Sequence, residues 1–151
     1  MTADTLFMLA NYSVMPFWLL LIVAPRAKVT DMLVHSGLVP MVLGITYSAL
    51  LLNSMVGNAP EGGGMGSLDA LMISFSQPMA VVTGWVHYLA FDLFVGAWIA
   101  RDAARMGIHH FSIILPLILT FVAGPAGLLF YLLLRYAWKR RFQLTEVAIS
   151  D

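Results

Sequence analysis

Two ionisable side chains interrupt a long apolar stretch in the second half of the chain. His87 and Asp92 lie within the segment Gly84-Trp-Val-His-Tyr-Leu-Ala-Phe-Asp-Leu-Phe-Val-Gly96. Five residues along a helix separate two side chains by roughly 140° and about 7.5 Å, so we expect them to face different helices or opposite walls of one pocket. Imidazole and carboxyl groups are the common general acids and bases of enzymes. His87 and Asp92 are therefore the candidate catalytic couple.

Both residues also have a structural interpretation. The carboxyl group of Asp92 could hold a helix bundle together through a hydrogen bond to a polar side chain on another helix, the candidates being Tyr47, Asn53, Asn11 and Tyr12. His87 could donate to a backbone carbonyl inside the same bundle. The sequence leaves the functional and the structural interpretation of Asp92 open.

Aromatic side chains share this segment. One stripe of the helix consists of His87, Phe91, Phe94 and Trp98, and a second stripe carries Trp85 and Asp92. An aromatic stripe suits a flat apolar ligand, and it suits packing against another helix equally well. The segment therefore predicts either a ligand-binding wall or a helix contact.

Residue types and charge exclude several classes of function. The chain has no cysteine, so disulfides, thiolate catalysis and cysteine-ligated metals are excluded. The net charge is zero, and nucleic acid is not expected as a partner. His109 and His110 are adjacent and point in different directions on a helix, so we expect surface residues rather than a metal site. Without a phosphate-binding loop, a nucleophile elbow or a zinc motif, no metal or other cofactor is predicted.

The composition is that of a membrane protein. Of the 151 residues 60% are hydrophobic and 11% charged, whereas soluble domains carry about 25% charged residues. Crossing about 30 Å of hydrocarbon takes roughly 20 apolar residues, and the ranges 6–24, 33–55, 78–100 and 111–134 qualify. We predict a single all-α membrane domain, residues 1–151, that is a bundle of four transmembrane helices. Asp92 then lies near the bilayer midplane, where an ionisable residue costs roughly 2.5–3.5 kcal/mol and is a candidate for function.

A short amphipathic helix is predicted between the second and third spans. A glycine-rich loop covers residues 57–66, and Ser67 can cap a helix over about residues 68–77. The apolar side chains of that helix share one face, namely Leu68, Leu71, Met72 and Phe75. We favour an interfacial helix that lies on the membrane, and the alternative is a lid over a lateral opening.

Orientation depends on the fourth apolar stretch. With four straight spans the basic residues divide equally between Arg26, Lys28, Arg101 and Arg105 on one side and Arg135, Lys139, Arg140 and Arg141 on the other, so the positive-inside rule gives no answer. A re-entrant hairpin at residues 124–127 would bring all of them to one side. We favour the single crossing, because non-helical backbone at that depth must be buried in protein.

The polar residues beside the last two spans have simple interpretations. Arg101, Asp102 and Arg105 are expected at a solvated helix end. Near the C-terminal tail, Tyr131, Tyr136 and Trp138 are expected to anchor the chain at the membrane interface.

The segment Gly84–Gly96, followed by Trp98-Ile99 and Asp102-Ala103, resembles the core motif of the abscisic-acid-deficient-four-like family. Further matching stretches cover nearly the whole chain: Asp4-Thr-Leu-Phe7, Asn11, Ala24-Pro25, Gly66-Ser-Leu68, Gln77-Pro78, Gly107-Ile108, Leu115-Pro116, Thr120 and Gly124-Pro-Ala-Gly-Leu128. The resemblance implies a four-span membrane protein, of unassigned function in bacteria and of plastid carotenoid metabolism in plants, where members act in neoxanthin synthesis.

That plant reaction is an intramolecular rearrangement in which a carotenoid epoxide opens, a proton is lost and an allene forms. It implies an acid that protonates the epoxide oxygen and a base that takes a carbon-bound proton, for which His87 and Asp92 are the candidates. The candidate ligand-binding residues are Trp85, Tyr88, Phe91, Phe94, Trp98, Tyr47 and Asn53.

Two hypotheses of function follow. The first is an isomerase of carotenoid modification that acts on a polyene dissolved in the bilayer. The second is a non-catalytic subunit that binds a carotenoid or lipid, or that packs into a homo-oligomer or a larger membrane complex through close helix approach at Gly96 and Ala100. Because the first residues carry neither a basic signal-peptide region nor a transit peptide, we expect a bacterial inner membrane, or a plastid membrane if the source is a plant.

Overall fold

The structure is a computed structural model that describes residues 1–56, 60–140 and 143–144. Four helices within these residues are long and apolar enough to cross a membrane, which confirms the predicted all-helical class. The described helices are α1 (Ala3–Val23), α2 (Lys28–Thr30), α3 (Leu38–Met55), α4 (Leu68–Phe75), α5 (Pro78–Arg105) and α6 (His110–Lys139). A π-helical turn over Asp31–His35 joins α2 to α3, so the second apolar stretch runs from residue 28 rather than from residue 33.

The short helix between the second and third spans forms as predicted over residues 68–75. The side chain of Ser67 accepts a hydrogen bond from the backbone of Ala70 at 3.2 Å, which caps the first turn. The ring of Phe75 packs over Gly84, where a Cβ would lie 3.0 Å from it. The helix α4 therefore contacts the beginning of α5.

The helix α5 is the centre of the bundle and packs against α1, α3 and α6. It begins with Pro78, whose missing N–H is not needed in a first turn. The helix α1 runs parallel to it, since Asn11 bonds Trp85 and Trp18 lies against Gly96. Absence of a side chain at Gly96 permits that contact, because a Cβ there would lie only 2.7 Å from the Trp18 ring.

The helix α3 runs antiparallel to α5. His35, just before α3, lies 3.3 Å from Arg101, and Tyr47 contacts His87 with ring centroids 5.3 Å apart. Later residues of α3 thus lie beside earlier residues of α5. The N-terminus and α4 consequently lie at one end of the bundle, and residues 24–35 lie at the other.

The helix α6 folds back on itself halfway along. Ala123 (φ −149°, ψ 43°) and Gly124 (φ 10°, ψ −81°) leave helical geometry. A Cβ at Gly127 would overlap the backbone nitrogen of Thr120, although seven residues span about 10 Å in a straight helix. At the ends of α6, a Cβ at Gly107 would lie 3.9 Å from Lys139 Nζ, whereas 30 residues of straight helix would span about 45 Å. Both ends of α6 therefore lie at the same end of the bundle.

This hairpin is the arrangement that the sequence analysis considered and did not favour. The fourth apolar stretch is not a single straight crossing over residues 111–134, because Gly124, Pro125 and Gly127 make the reversal. The objection to it, that non-helical backbone at that depth must be buried in protein, is met because Gly124 is buried against α5. Pro125 needs no N–H partner where the second half of the helix begins.

The hairpin also settles where the basic residues lie. We define the basic end as the end of the bundle that carries Arg26, Lys28, Arg101, Arg105, Arg135, Lys139 and Arg140. These are seven of the eight basic residues of the chain, and the eighth, Arg141, lies outside the described residues. The tie in the positive-inside rule came from the assumption of a straight fourth span.

Candidate functional site

The carboxyl group of Asp92 is buried at the point where α6 reverses. Asp92 is 7% exposed and lies at the middle of α5. A Cβ added to Gly124 would overlap its carboxylate, so the two groups are in direct contact. Its Oδ2 atom is buried and has no hydrogen-bond partner within the part of the chain that the structure describes. An unsatisfied carboxylate oxygen at this depth is costly, and such groups mark sites of function.

Tyr88 is the neighbour of Asp92 on the same helix. Its hydroxyl group interacts with the Asp92 carboxylate and with the backbone of Gly124. The spacing of four residues places both side chains on one face of α5. Tyr88 was predicted only as a ligand-binding residue, because the catalytic prediction rested on the five-residue spacing between His87 and Asp92. The four-residue spacing was the available signal for this pair.

His87 lies on a different side of α5 from Asp92. Its side chain is exposed and packs between two rings, with centroid distances of 5.3 Å to Tyr47 and 4.6 Å to Phe91. The five-residue spacing predicted that His87 and Asp92 either face different helices or line opposite walls of one pocket. The structure places Asp92 against α6 and His87 beside α3.

The aromatic candidates divide into an exposed and a packed set. Phe91 and Phe94 are 59% and 51% exposed. Trp98 is half-buried and makes an edge-to-face contact with Tyr131 at 5.7 Å. The stripe that begins at His87 therefore continues over Phe91 and Phe94 on the outside of the bundle, between α3 and the second half of α6. In a membrane this surface faces lipid or a ligand dissolved in it.

Trp85 is held by α1 and lies beside Tyr88. Its indole N–H donates to Asn11 at 3.1 Å, and its ring stacks on that of Tyr88 at 5.1 Å. Asn11 is therefore occupied with Trp85 rather than with Asp92. Asn53 is exposed two residues before the end of α3, at the opposite end of that helix from His35.

A second buried carboxylate, which the sequence analysis missed, clamps the hairpin to α5. Asp102 is 2% exposed, accepts hydrogen bonds from Tyr131 at 2.5 Å and from Arg135 Nε at 2.7 Å, and pairs with Arg105. The prediction of a solvated helix end was wrong for Asp102, and the prediction of an interface anchor was wrong for Tyr131, which is fully buried. Both errors have one cause, because a straight fourth span would carry Tyr131 and Arg135 away from Asp102.

Two histidine side chains at the basic end form hydrogen bonds with backbone carbonyl groups. His35 Nε2 bonds the carbonyl of Pro25 at 3.0 Å, and His110 Nε2 bonds the carbonyl of Ile22 at 2.7 Å. These bonds tie the end of α1 to the segments beside it. The expectation of two surface histidines at residues 109 and 110 therefore holds only for His109, which is exposed.

Other features of the described residues do not add a site near Asp92. Among these residues, no group of three or more His, Cys, Asp or Glu side chains could hold a metal ion. A shallow cavity of about 300 Å³ lies between α1 and the start of α5, lined by Ala3, Asp4, Phe7, Ser76, Pro78, Val81 and Val82. Val82 precedes Asp92 by ten residues, about 15 Å along the helix. This cavity is therefore separate from the surroundings of Asp92 and Tyr88.

Comparisons with known proteins agree with the motif in α5. The model of the family described as ABA DEFICIENT 4-like matches residues 5–131. A curated relative, "Protein ABA DEFICIENT 4, chloroplastic" of Arabidopsis thaliana, is 28% identical over 111 residues, which are 66% of this chain and 48% of that protein. The chain thus spans about half the length of the curated relative it matches. No solved structure matches it. The matches confirm the family resemblance that the sequence indicated.

Proposed function

The chain belongs to the ABA DEFICIENT 4-like family, and on that premise we propose that it is a membrane protein of carotenoid modification in which Asp92 is the reacting group. The family resemblance supplies the class of substrate, an oxygenated polyene dissolved in the bilayer. The observation that carries the proposal is the buried, unpartnered Oδ2 atom of Asp92 beside the reversal of α6. Folding alone would favour an apolar residue at this depth.

The proposed reaction is an isomerisation that needs one acid and one base. Asp92 acts through the hydroxyl group of Tyr88, which it contacts, and this pair gives a proton to the epoxide oxygen as the carbon–oxygen bond breaks. His87, on the lipid-open side of α5, takes the carbon-bound proton as the new double bond forms. Atoms and electrons balance without an oxidant, so substrate and product have the same mass.

The exposed aromatic stripe supports a route for such a substrate. A polyene that lies along α5 would contact Phe91 and Phe94, which are exposed, and would pass His87. Tyr88 is half-buried between this stripe and Asp92. The substrate would therefore enter sideways from the lipid and present its oxygenated end at the middle of the bundle. This requires the polar end of the polyene to leave the headgroup region.

The relative's name supports a plastid membrane as the place of action, since that protein is described as chloroplastic. A bacterial inner membrane, which the sequence analysis expected first, receives no support from the comparisons. Four long apolar helices support integration into a membrane in either case.

The test is the pigment profile of a host with and without this gene, by chromatography and mass spectrometry, complemented with Asp92→Asn. We expect Asp92→Asn to fold, because asparagine has the same shape, and to lower product formation by about 10²–10⁴-fold, the usual contribution of a general acid or base. Glu61→Gln, an exposed acid changed in the same way, is the matched control and should complement fully. Full product yield from folded Asp92→Asn would remove Asp92 from the mechanism.

A non-catalytic role is the second candidate, and one observation favours it. The aromatic stripe at Phe91 and Phe94 is open to the side rather than enclosed, as suits a protein that binds a polyene or packs against another membrane subunit. An unchanged pigment profile on gene deletion, with a carotenoid or a partner co-purifying at fixed stoichiometry, would establish this role instead.

A further inference from the structure

The two ends of the bundle carry opposite charge. The basic end holds seven Lys and Arg residues against two described acids, Asp31 and Asp102. At the opposite end lie Asp4, Glu61 and Asp69, and the described residues of that end include no Lys or Arg. The separation exists only because the hairpin returns Arg135, Lys139 and Arg140 to the end where Arg26 and Lys28 already lie. The separation of charge between the two ends is therefore a consequence of the tertiary fold and cannot be read from the positions of the charged residues in the sequence.

Four of the basic side chains are available to a ligand. Arg26, Lys28, Lys139 and Arg140 are exposed, and no described acidic residue forms an ion pair with them. By contrast, Arg135 is buried and paired with Asp102, and Arg105 pairs with the same carboxylate. The free cations come from the turn after α1 and from the end of α6. The hairpin brings these two segments to the same end of the bundle.

The basic end lies at the boundary between hydrocarbon and water. Trp138, next to Lys139, is 54% exposed, and Arg140 lies over the ring of Tyr136 at 5.7 Å. Indole and phenol rings prefer the headgroup region of a bilayer. Apolar side chains are exposed at the basic end as well, including Met32 at 67% and Phe111 at 75%. Cations beside lipid-facing apolar surface are at the depth of the lipid headgroups.

We propose that Arg26, Lys28, Lys139 and Arg140 form a site for anionic lipid headgroups. We also propose that the basic end lies on the side of the membrane from which the chain is inserted. Cations beside a membrane attract anionic headgroups. A lipid is the ligand that fits, because these charges border exposed apolar surface that lipid chains would cover. The positive-inside rule gives the same orientation. The proposal is independent of the function proposed for Asp92.

The experiment measures which lipid surrounds the basic end. The full chain is reconstituted in nanodiscs that contain either brominated phosphatidylglycerol or brominated phosphatidylcholine. The part of the tryptophan quenching that is lost in a Trp138→Phe variant reports the lipid in contact with Trp138, which is the most exposed of the four tryptophans. The neutralised variant combines Arg26→Gln, Lys28→Gln, Lys139→Gln and Arg140→Gln. The charge-conserving control combines Arg26→Lys, Lys28→Arg, Lys139→Arg and Arg140→Lys, and circular dichroism establishes that both are folded.

We expect several-fold stronger quenching by the anionic lipid in the natural protein, a ratio near one in the neutralised variant, and recovery in the charge-conserving variant. Salt should reduce the preference, because exposed charges are screened. Equal quenching by both lipids in the natural protein would overturn the proposal. Loss of the preference on addition of inorganic phosphate, but not of chloride at equal ionic strength, would overturn it too, because the site would then bind a free anion rather than a headgroup.

Discussion

Two aspartates on α5 contact the α6 hairpin, and their surroundings are opposite. Asp102 accepts hydrogen bonds from Tyr131 and Arg135 and pairs with Arg105, so its carboxylate is fully engaged. Asp92 leaves Oδ2 without a partner among the described residues. A saturated carboxylate holds two elements together, whereas an unsatisfied one keeps capacity for a substrate or a proton. The comparison favours a structural role for Asp102 and supports the reacting role that we propose for Asp92.

Both contacts depend on the reversal of α6, so the largest expected effect tests the hairpin itself. The chain has no natural cysteine, and single cysteines at His109, Ala137 and Glu61 can be labelled from either side of sealed vesicles. We expect residues 109 and 137 to be labelled from one side and residue 61 from the other. Labelling of residues 109 and 137 from opposite sides would contradict the hairpin. A straight α6 would contact neither Asp92 nor Asp102 in the way described above.

The next largest effect should come from Asp102→Ala. The change leaves Arg135 buried without its carboxylate, and breaking a buried ion pair costs about 3–5 kcal/mol. We expect a strong loss of stability against thermal or detergent unfolding. The double variant Asp102→Ala with Arg135→Leu removes both charges and should recover part of the loss. A stability change as small as that of Asp92→Asn would contradict the assignment of Asp102 as the structural residue.

Gly124→Ala tests whether contact with the hairpin positions Asp92. The added methyl group overlaps the Asp92 carboxylate, and overpacking of this kind costs about 1–3 kcal/mol. We expect lower stability together with reduced product in the pigment assay. Gly44→Ala is the matched control, since a Cβ at Gly44 meets nothing within 4 Å. Addition of Asp92→Ala to Gly124→Ala should restore stability but not product, and equal effects of Gly44→Ala and Gly124→Ala would argue against the contact.

The smallest effect on stability is expected from Tyr88→Phe. The substitution removes one hydroxyl group that interacts with Asp92, and hydrogen bonds between groups inside a membrane contribute about 0.6 kcal/mol on average. We expect nearly unchanged unfolding but a clear fall in product, because the proposed proton route passes through this hydroxyl group. Tyr12→Phe, at a tyrosine that is 72% exposed, serves as the control. Unchanged product in Tyr88→Phe would leave Asp92 acting without Tyr88.

Much of the fold followed from local patterns. Hydropathy located the four long apolar helices, because each needs enough apolar residues to replace contact with water by contact with lipid. Ser67 and its neighbours predicted α4, because a capped first turn is a local property. Asp92 was identified as a candidate because an ionisable residue in a membrane segment is costly wherever it points. These conclusions needed only the sequence.

Tertiary structure decided the direction of α6 and, with it, the partners of both aspartates. Gly124, Pro125 and Gly127 permit a reversal, but helical hydropathy is the same for a straight helix and for a folded one. Only the packing of Gly124 against Asp92, and of Arg135 against Asp102, distinguishes the two. The charge separation between the ends of the bundle depends on the same choice. The sequence determined which residues lie in the membrane. Which of these residues contact each other was determined by long-range packing, because that packing depends on segments that are distant in the chain.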